Sequence, residues 1–539
     1  MAEFSALSEL KNQQRPIRRN DKTYSKKKAQ TAERRAMHFD LFGGGRDEND
    51  IANKMEKLSL HYDVRETPVQ PLPEATPSFE QRPIEHHPRP RGRRKDASSR
   101  KMAVCLYGFI DQLQEIDRHL QNLTPQDLHQ LEPLLSLIEQ QGVKDFQEFG
   151  RSIGKKYLCE KLGEGSYADV FKLQPKDLTE AEDLEKRGGL IVKIIPFKLT
   201  PEAQNDIADM ESITREVRLM QSVDALHGFV RCRGIHIVSG KYPDVLLEAF
   251  DAFKATRPVS AIHSNPLKDF SPQQLYAIVE MNDAGKPIYR LKTLSAFQVY
   301  DIFWKTAMTL ALAEREIEFE HRDMHNGNIC FKPLTKDGPI DAAQNLIEDM
   351  NKRPEVVLGM SNLQITVIDY TLSRAKLGDG SKSGLIVFDP MLFWETDSYV
   401  ARTEEDKRQW GTYCRTREWA RLVESEVEEN ARLDGLEYEA RNKYERFLPK
   451  SNLFWLGYLL ADMLTRTPAG RGASLPGSSR TAKNLQMELW AKLTEVSTYL
   501  NNVQPALLPV GADGLVTTAA VRGWLAPADM AAFKAQMEE

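Results

Sequence analysis

The sequence predicts an α+β protein of two lobes, a strand-rich one followed by a larger helical one, behind a disordered basic tail and a helical extension. Three observations predict it. Between Tyr157 and Met281, apolar runs of strand length are broken by a glycine turn and a single amphipathic helix. From Ser295 onward the apolar spacing is that of long helices. Beyond the first of these helices lies a charged stretch, Phe319-Glu-His-Arg-Asp-Met-His-Asn-Gly-Asn-Ile-Cys330. The predicted units are residues 1–101 (tail), 102–150 (helical extension), 151–285 (small lobe) and 286–539 (large lobe with inserted loops and C-terminal helices).

Composition bounds the function. A chain of 539 residues with 28% charged side chains holds two or three domain-sized units. A formal net charge of -5 predicts no global affinity for polyanions. The cysteines Cys105, Cys159, Cys232, Cys330 and Cys414 are scattered without metal-ligand spacing, which predicts a reduced compartment and neither a zinc site nor a disulfide framework. No apolar run is long enough to cross a bilayer, and no apolar signal core opens the chain, so neither membrane insertion nor secretion is expected.

Residues up to about 100 are rich in Arg, Lys, Gln, Pro and Glu without apolar period, the composition of disorder. Two basic clusters stand out there, Lys26–Lys28 and Arg89–Lys95. They are solvated tail, nuclear-import signal or nucleic-acid contact, with import preferred for the second. Leu106, Phe109, Ile110, Leu113 and Ile116 predict a helix, and Thr124-Pro125 predicts the N-cap and first turn of the next.

Tyr157–Leu173 reads as strand, glycine turn and strand, with Gly163-Glu164-Gly165-Ser166-Tyr167-Ala168-Asp169-Val170 at the turn. A polar insertion, 174–189, precedes the buried strand Gly189–Pro196, whose lysine, Lys193, demands a partner or an exposed edge. Asp206–Val223 is helical in period, and Glu216 is the expected partner, with Glu211 the alternative. Strands are expected over Gly228–Leu247 and Leu275–Met281, the last running into a hinge at Asn282-Asp283-Ala284-Gly285. Ser295–Glu316 is a long amphipathic helix, and Asn328–Phe331 and Gln364–Ile368 are strands flanking a polar loop. The charged, helical stretch Glu404–Glu445 reads as a solvated surface insertion. Helices are expected at Pro449–Leu464, near Asn484–Leu500 and at Ala519–Gln536.

The chemistry lies in the order of small signals: glycine turn, strand lysine, helix glutamate, hinge, His321-Arg322-Asp323 with Asn328 beyond it, and Asp369. Each is weak alone, but their joint order resembles the eukaryotic protein kinase fold over Tyr157 to about Leu464. Within that fold, His321-Arg-Asp-Met-His-Asn-Gly-Asn328, Asp369-Tyr-Thr-Leu-Ser-Arg374 and Asn452-Leu-Phe-Trp-Leu456 resemble the haspin family of serine/threonine kinases. Three departures from the common kinase pattern stand out: Ala168 at the third glycine position, Thr371 for the glycine after the metal aspartate, and His325 for a lysine.

The resemblance implies ATP and Mg2+ as cofactors. ATP would lie against Gly163, Glu164, Gly165, Ser166 and Val170, grip Lys193 held by Glu216, pass Met281, and meet Asn282 and Ala284 with its adenine edge. Asn328 and Asp369 would hold the metal, Asp323 would orient the acceptor hydroxyl, and His325, partly charged, would stabilise the transferred group more as pH falls. It implies a histone H3 tail as substrate, met by carboxylates such as Glu395 and Asp397, in mitotic chromatin. It also implies activity without activation-loop phosphorylation and a nuclear, chromosomal location, with the basic tail available for chromatin association. Two rivals share the fold: a pseudokinase scaffold and a small-molecule kinase of the aminoglycoside or choline type.

Overall fold

The computed structural model describes residues 123–164, 168–199, 208–257, 266, 270–334, 355–377, 384–388, 403–436, 442–467 and 480–538. Both basic clusters, the helix expected from Leu106 to Ile116, Gly165, Ser166, Glu395 and Asp397 lie outside the described residues.

The helical extension opens with α1 (Pro125–Leu137), capped as the sequence predicts. The Thr124 hydroxyl accepts from Asp127 N–H and the Asp127 carboxylate accepts from Thr124 N–H, satisfying two donors at the helix start. A two-residue strand β1 (Lys144–Asp145) follows, and Asp145 then caps α2 (Phe146–Lys156).

The small lobe is built on a seven-stranded sheet of order β1-β6-β7-β4-β3-β2, with β5 beside β4. Its strands are β2 (Tyr157–Glu164), β3 (Asp169–Pro175), β4 (Ile191–Lys198), β5 (Ala208–Asp209), β6 (Cys232–Ser239) and β7 (Leu275–Met281). Alternation sorts the faces. Phe171, Val192, Ile194, Tyr276 and Ile278 point one way and pack with Phe146 and Ile153 of α2 and with Leu246 and Ala249 of the helix α5 (Asp244–Ala255). The opposite parity carries Val170, Lys193 and Val279, cross-strand partners in register.

Three expectations are corrected here. The strand predicted over 228–247 stops at Ser239, and Asp244–Leu247 begin α5. Pro243 cannot donate to a ladder but suits a helix start, and Leu246, Ala249 and Phe250 then bury at helical spacing. Gly150 allows this packing, because a Cβ there would lie 2.2 Å from the Pro243 Cβ. The polar insertion holds a helix of its own, α3 (Leu178–Lys186), capped by Asp177. Finally, the helix predicted over 519–536 is two, α10 (Ala512–Arg522) and α11 (Pro527–Glu538), divided by Gly523 in the left-handed conformation at φ 69°.

The large lobe is organised around α6 (Ala296–Ile317), which starts on a Ser295–Gln298 capping box and is buried nearly all round rather than on one face. Against it pack α8 (Lys450–Thr465), α9 (Arg480–Asn502) and α10. The short strands β8 (Lys286–Pro287), β9 (Ile329–Pro333) and β10 (Leu363–Val367) form an antiparallel sheet, and β11 (Arg374–Lys376) pairs with β12 (Leu385–Val387). Between β12 and α8 runs α7 (Glu404–Leu433). Among the described residues, no helix is long and apolar enough to cross a membrane.

Candidate active site

Lys193 sits in the middle of β4, a buried strand in which an unpaired ammonium would be costly. Its partner comes from α4 (Met210–Val223). Ile213, Val217 and Met220 anchor that helix in the core, which turns Glu216 toward the sheet, and Lys193 Nζ stands 2.6 Å from Glu216 Oε1. Glu211 is 88% exposed and faces Arg215, so the choice between the two glutamates falls to Glu216. Burial works against the Lys193 charge, but Glu216 and then Asp369 outweigh it and hold its pKa above the ordinary lysine value.

At the glycine turn, Gly163 and Glu164 end β2 and Val170 lies beside Lys193 on β3. The Glu164 carboxylate does not face the cleft. It takes an ion pair from buried Lys161 at 2.9 Å, and Lys161 also binds Asp169 at the start of β3 and stands 4.3 Å over the Phe250 ring. What Glu164 offers a nucleotide is therefore its backbone. Tyr242 closes this network by donating to Asp169 at 2.8 Å.

The hinge follows Met281. Asn282 N–H donates to Arg231 O, and Asp283 N–H donates to Gly188 O of the insertion that carries α3. Lys172 pairs with the Asp283 carboxylate at 2.7 Å. Gly285 is required by close approach, since at φ 89° a Cβ would meet Phe331 O at 2.1 Å. The Asn282 carbonyl and the Ala284 amide make no backbone hydrogen bond among the described residues, which leaves them for a ligand.

Across the cleft, the loop between α6 and β9 presents Asp323, 2% exposed. It is held from several sides. Asn452 of α8 accepts from His321 N–H at 3.0 Å, Ser373 donates to His321 O at 3.0 Å, and Asn328 Nδ2 donates to Asp323 O at 2.8 Å. Ile368 N–H donates to Asn328 O, which ties the two loops together. Asp369 adopts the left-handed conformation at φ 63°, a cost more common at functional sites, and its Oδ1 accepts from the Thr371 hydroxyl at 2.7 Å. Burial pushes Asp369 up, but Lys193 and the Thr371 hydrogen bonds overcome it and keep the carboxyl below its usual pKa.

Those hydrogen bonds engage Asn328 through Nδ2 and Asp369 through Oδ1. Asn328 Oδ1 and the second oxygen of the ionised Asp369 carboxylate are hard donors of the kind magnesium takes, on two loops tied by the Ile368–Asn328 hydrogen bond.

Arg322 is fully buried. It makes a paired contact to Glu320 at 3.1 and 3.0 Å and donates to Tyr444 O at 2.8 Å, while Glu320 also accepts from Leu448 N–H and the Ser451 hydroxyl. The guanidinium is thereby committed to the fold and is not exposed for a phosphate.

Two expectations fail at this site. His325 is only partly buried, 15% exposed, with Nδ1 accepting from Gly327 N–H at 2.9 Å, and desolvation lowers its pKa to about 4. It is neutral near pH 7, so the predicted cationic role is withdrawn. The charged stretch after Glu404 is not merely a solvated insertion. Its first half packs on α8, Glu405 accepts from Asn326 at 3.0 Å, and the Tyr413 hydroxyl donates to Asp323 Oδ1. Sequence reasoning missed Tyr413; the only signal was burial periodicity (Asp406, Tyr413, Arg417, Ala420) hidden inside a strongly charged helix.

A β-sheet lobe with a strand lysine and helix glutamate, facing a helical lobe whose Asp323, Asn328 and Asp369 converge, defines the two-lobed protein kinase fold. The chain belongs to the haspin-like kinase family: residues 110–496 match the model described as "Haspin like kinase domain". It is similar to a serine/threonine-protein kinase haspin homolog of Schizosaccharomyces pombe, 27% identical over 62% of this chain and 61% of the relative. It is also similar to the haspin homolog of Drosophila melanogaster, at 25% over 57% of this chain and 48% of the relative. Serine/threonine-protein kinase haspin of Mus musculus matches at 27% over 62% of this chain and 39% of the relative. The alignments thus span from 39% to 61% of the length of these relatives.

Proposed function

We propose that this chain is an ATP-dependent serine/threonine protein kinase that phosphorylates a hydroxyl near the start of the histone H3 tail, on chromosomes in the nucleus. The observation that carries the reading is the convergence of Lys193, held by Glu216, with Asp369, Asn328 and Asp323. The relatives, all serine/threonine-protein kinases, favour a protein acceptor. The substrate class and location rest on the family resemblance, and the basic clusters of residues 1–101 suit chromatin association.

Lys193 grips the phosphates of ATP. Asn282 O and Ala284 N–H take the adenine edge. Asn328 and Asp369 would hold magnesium, which when bound would supply positive charge against the phosphates. Asp323 orients the acceptor hydroxyl for in-line attack and takes its proton. The ordered Arg322–Glu320 cluster supports activity without prior phosphorylation of the chain, since the arginine that would read such a phosphate is already paired.

The test is turnover of the purified chain with magnesium-ATP on a panel of histone-tail peptides, with aminoglycoside and choline as small acceptors, products mapped by mass spectrometry. Phosphorylation confined to the H3 tail peptide supports the reading. Phosphorylation of the small alcohols alone, or ATP binding with no transfer, overturns it.

A further inference from the structure

We infer that Tyr413 is a positioning residue for phosphoryl transfer, acting through Asp323; the inference rests on the kinase reading above. Tyr413 is 3% exposed and reaches the site from α7, ninety positions beyond the aspartate it touches. Its ring meets Trp455 of α8 edge-on at 5.0 Å, which fixes the direction of the hydroxyl. That hydroxyl donates to Asp323 Oδ1. The other oxygen, Oδ2, has a long contact of 3.4 Å from Asn328 Nδ2 and lies 3.9 Å from His325 Nε2.

The two carboxylate oxygens are therefore not equivalent. The phenol holds Oδ1 and so prevents the carboxylate from turning about its last bond. Oδ2 is the oxygen presented to an acceptor hydroxyl, and it takes the hydroxyl's proton as the oxygen–phosphorus bond forms and the bond to the ADP leaving oxygen breaks. α7 is itself fixed on the catalytic loop by the Asn326–Glu405 hydrogen bond at 3.0 Å, and its Thr403–Asp406 capping box defines where it starts. The helix thus acts as a brace that sets the angle of one carboxylate.

The experiment compares wild type, Tyr413→Phe and Tyr413→Leu on the peptide that the wild type phosphorylates, with melting temperatures recorded alongside. Phe keeps the ring against Trp455 and removes the hydroxyl, with its bond to Asp323 and the long 3.5 Å contact from Gln409. The expected result for both variants is a kcat lower by about tenfold with KM for ATP changed less than about twofold. A Phe variant with wild-type kcat would show that the ring and not the hydroxyl matters, and a raised kcat would make the contact autoinhibitory; either overturns the inference while leaving the kinase reading intact. The same Tyr413→Phe change is made in an Asp323→Asn background, where it should alter residual kcat less than about twofold. An undiminished loss there would mean that the phenol acts on the fold and not through Asp323. Absence of turnover in the wild type on every acceptor sinks the kinase reading and this role together.

Discussion

Glu216→Gln removes one charge and keeps the shape of the side chain. In the structure, Glu216 Oε1 is 2.6 Å from Lys193 Nζ, and both side chains are mostly buried, 12% and 16% exposed. At an effective dielectric near 20, a charge pair at that distance has a gross attraction of about 6 kcal/mol. Only part of that is lost to ATP binding, because Asp369 also attracts the ammonium and the phosphates of a bound nucleotide would replace Glu216 as its partner. What the variant loses is the direction of Lys193, and a loss of about 2 kcal/mol is reasonable for one charge-assisted hydrogen bond. That corresponds to roughly a thirtyfold fall in kcat/KM for ATP. Steady-state kinetics at varied ATP, with thermal melting to check the fold, measure it. A kcat/KM within about twofold of wild type in a folded variant would refute the claim that this pair holds the lysine for the phosphates.

Two further predictions concern protons. His325 is neutral near pH 7, so the pH–rate profiles of wild type and His325→Gln should run parallel above about pH 6; divergence there would restore a charged histidine. Glu314, on α6, accepts from Asn452 and from the first amides of α10 in a buried site, and burial raises its pKa from 4.5 to about 7. Its folded pKa lies above the unfolded one, so its stabilising proton is present below pH 4.5 and is lost as pH rises through about 7. Wild type should therefore lose about 2 kcal/mol relative to Glu314→Gln between about pH 5 and pH 8, read by urea unfolding, and equal pH slopes would contradict this.

Much of the site was legible because its residues lie close in sequence or on elements with a clear period. Asp323 and Asn328 share one loop, Asp369 follows one strand, and Glu216 is set by the apolar positions around it on α4. Thr124 and Ser295 announced their helices because a capping box is a local hydrogen-bond pattern. What was not legible depends on distant partners. Asp244–Leu247 reads as strand until Pro243 and the packing of α5 on the sheet are seen. His325 looked chargeable because the sequence carries no record of its burial. Tyr413 meets Asp323 only through the docking of α7 on α8, and the charge of α7 suggested solvent on every side. The engagement of Glu164 with Lys161 was hidden in the same way, since a residue in a glycine turn gives no sign of which face its side chain takes.

The central claim is that Asp323 serves transfer and not nucleotide binding, while Lys193, Asn328 and Asp369 hold the nucleotide and its metal. Single-turnover transfer to the peptide that the wild type phosphorylates, measured together with magnesium-ATP affinity in wild type and Asp323→Asn, tests it most directly. The expected result is an unchanged ATP affinity and a transfer rate lower by about a thousandfold. Transfer at the wild-type rate in Asp323→Asn would contradict it.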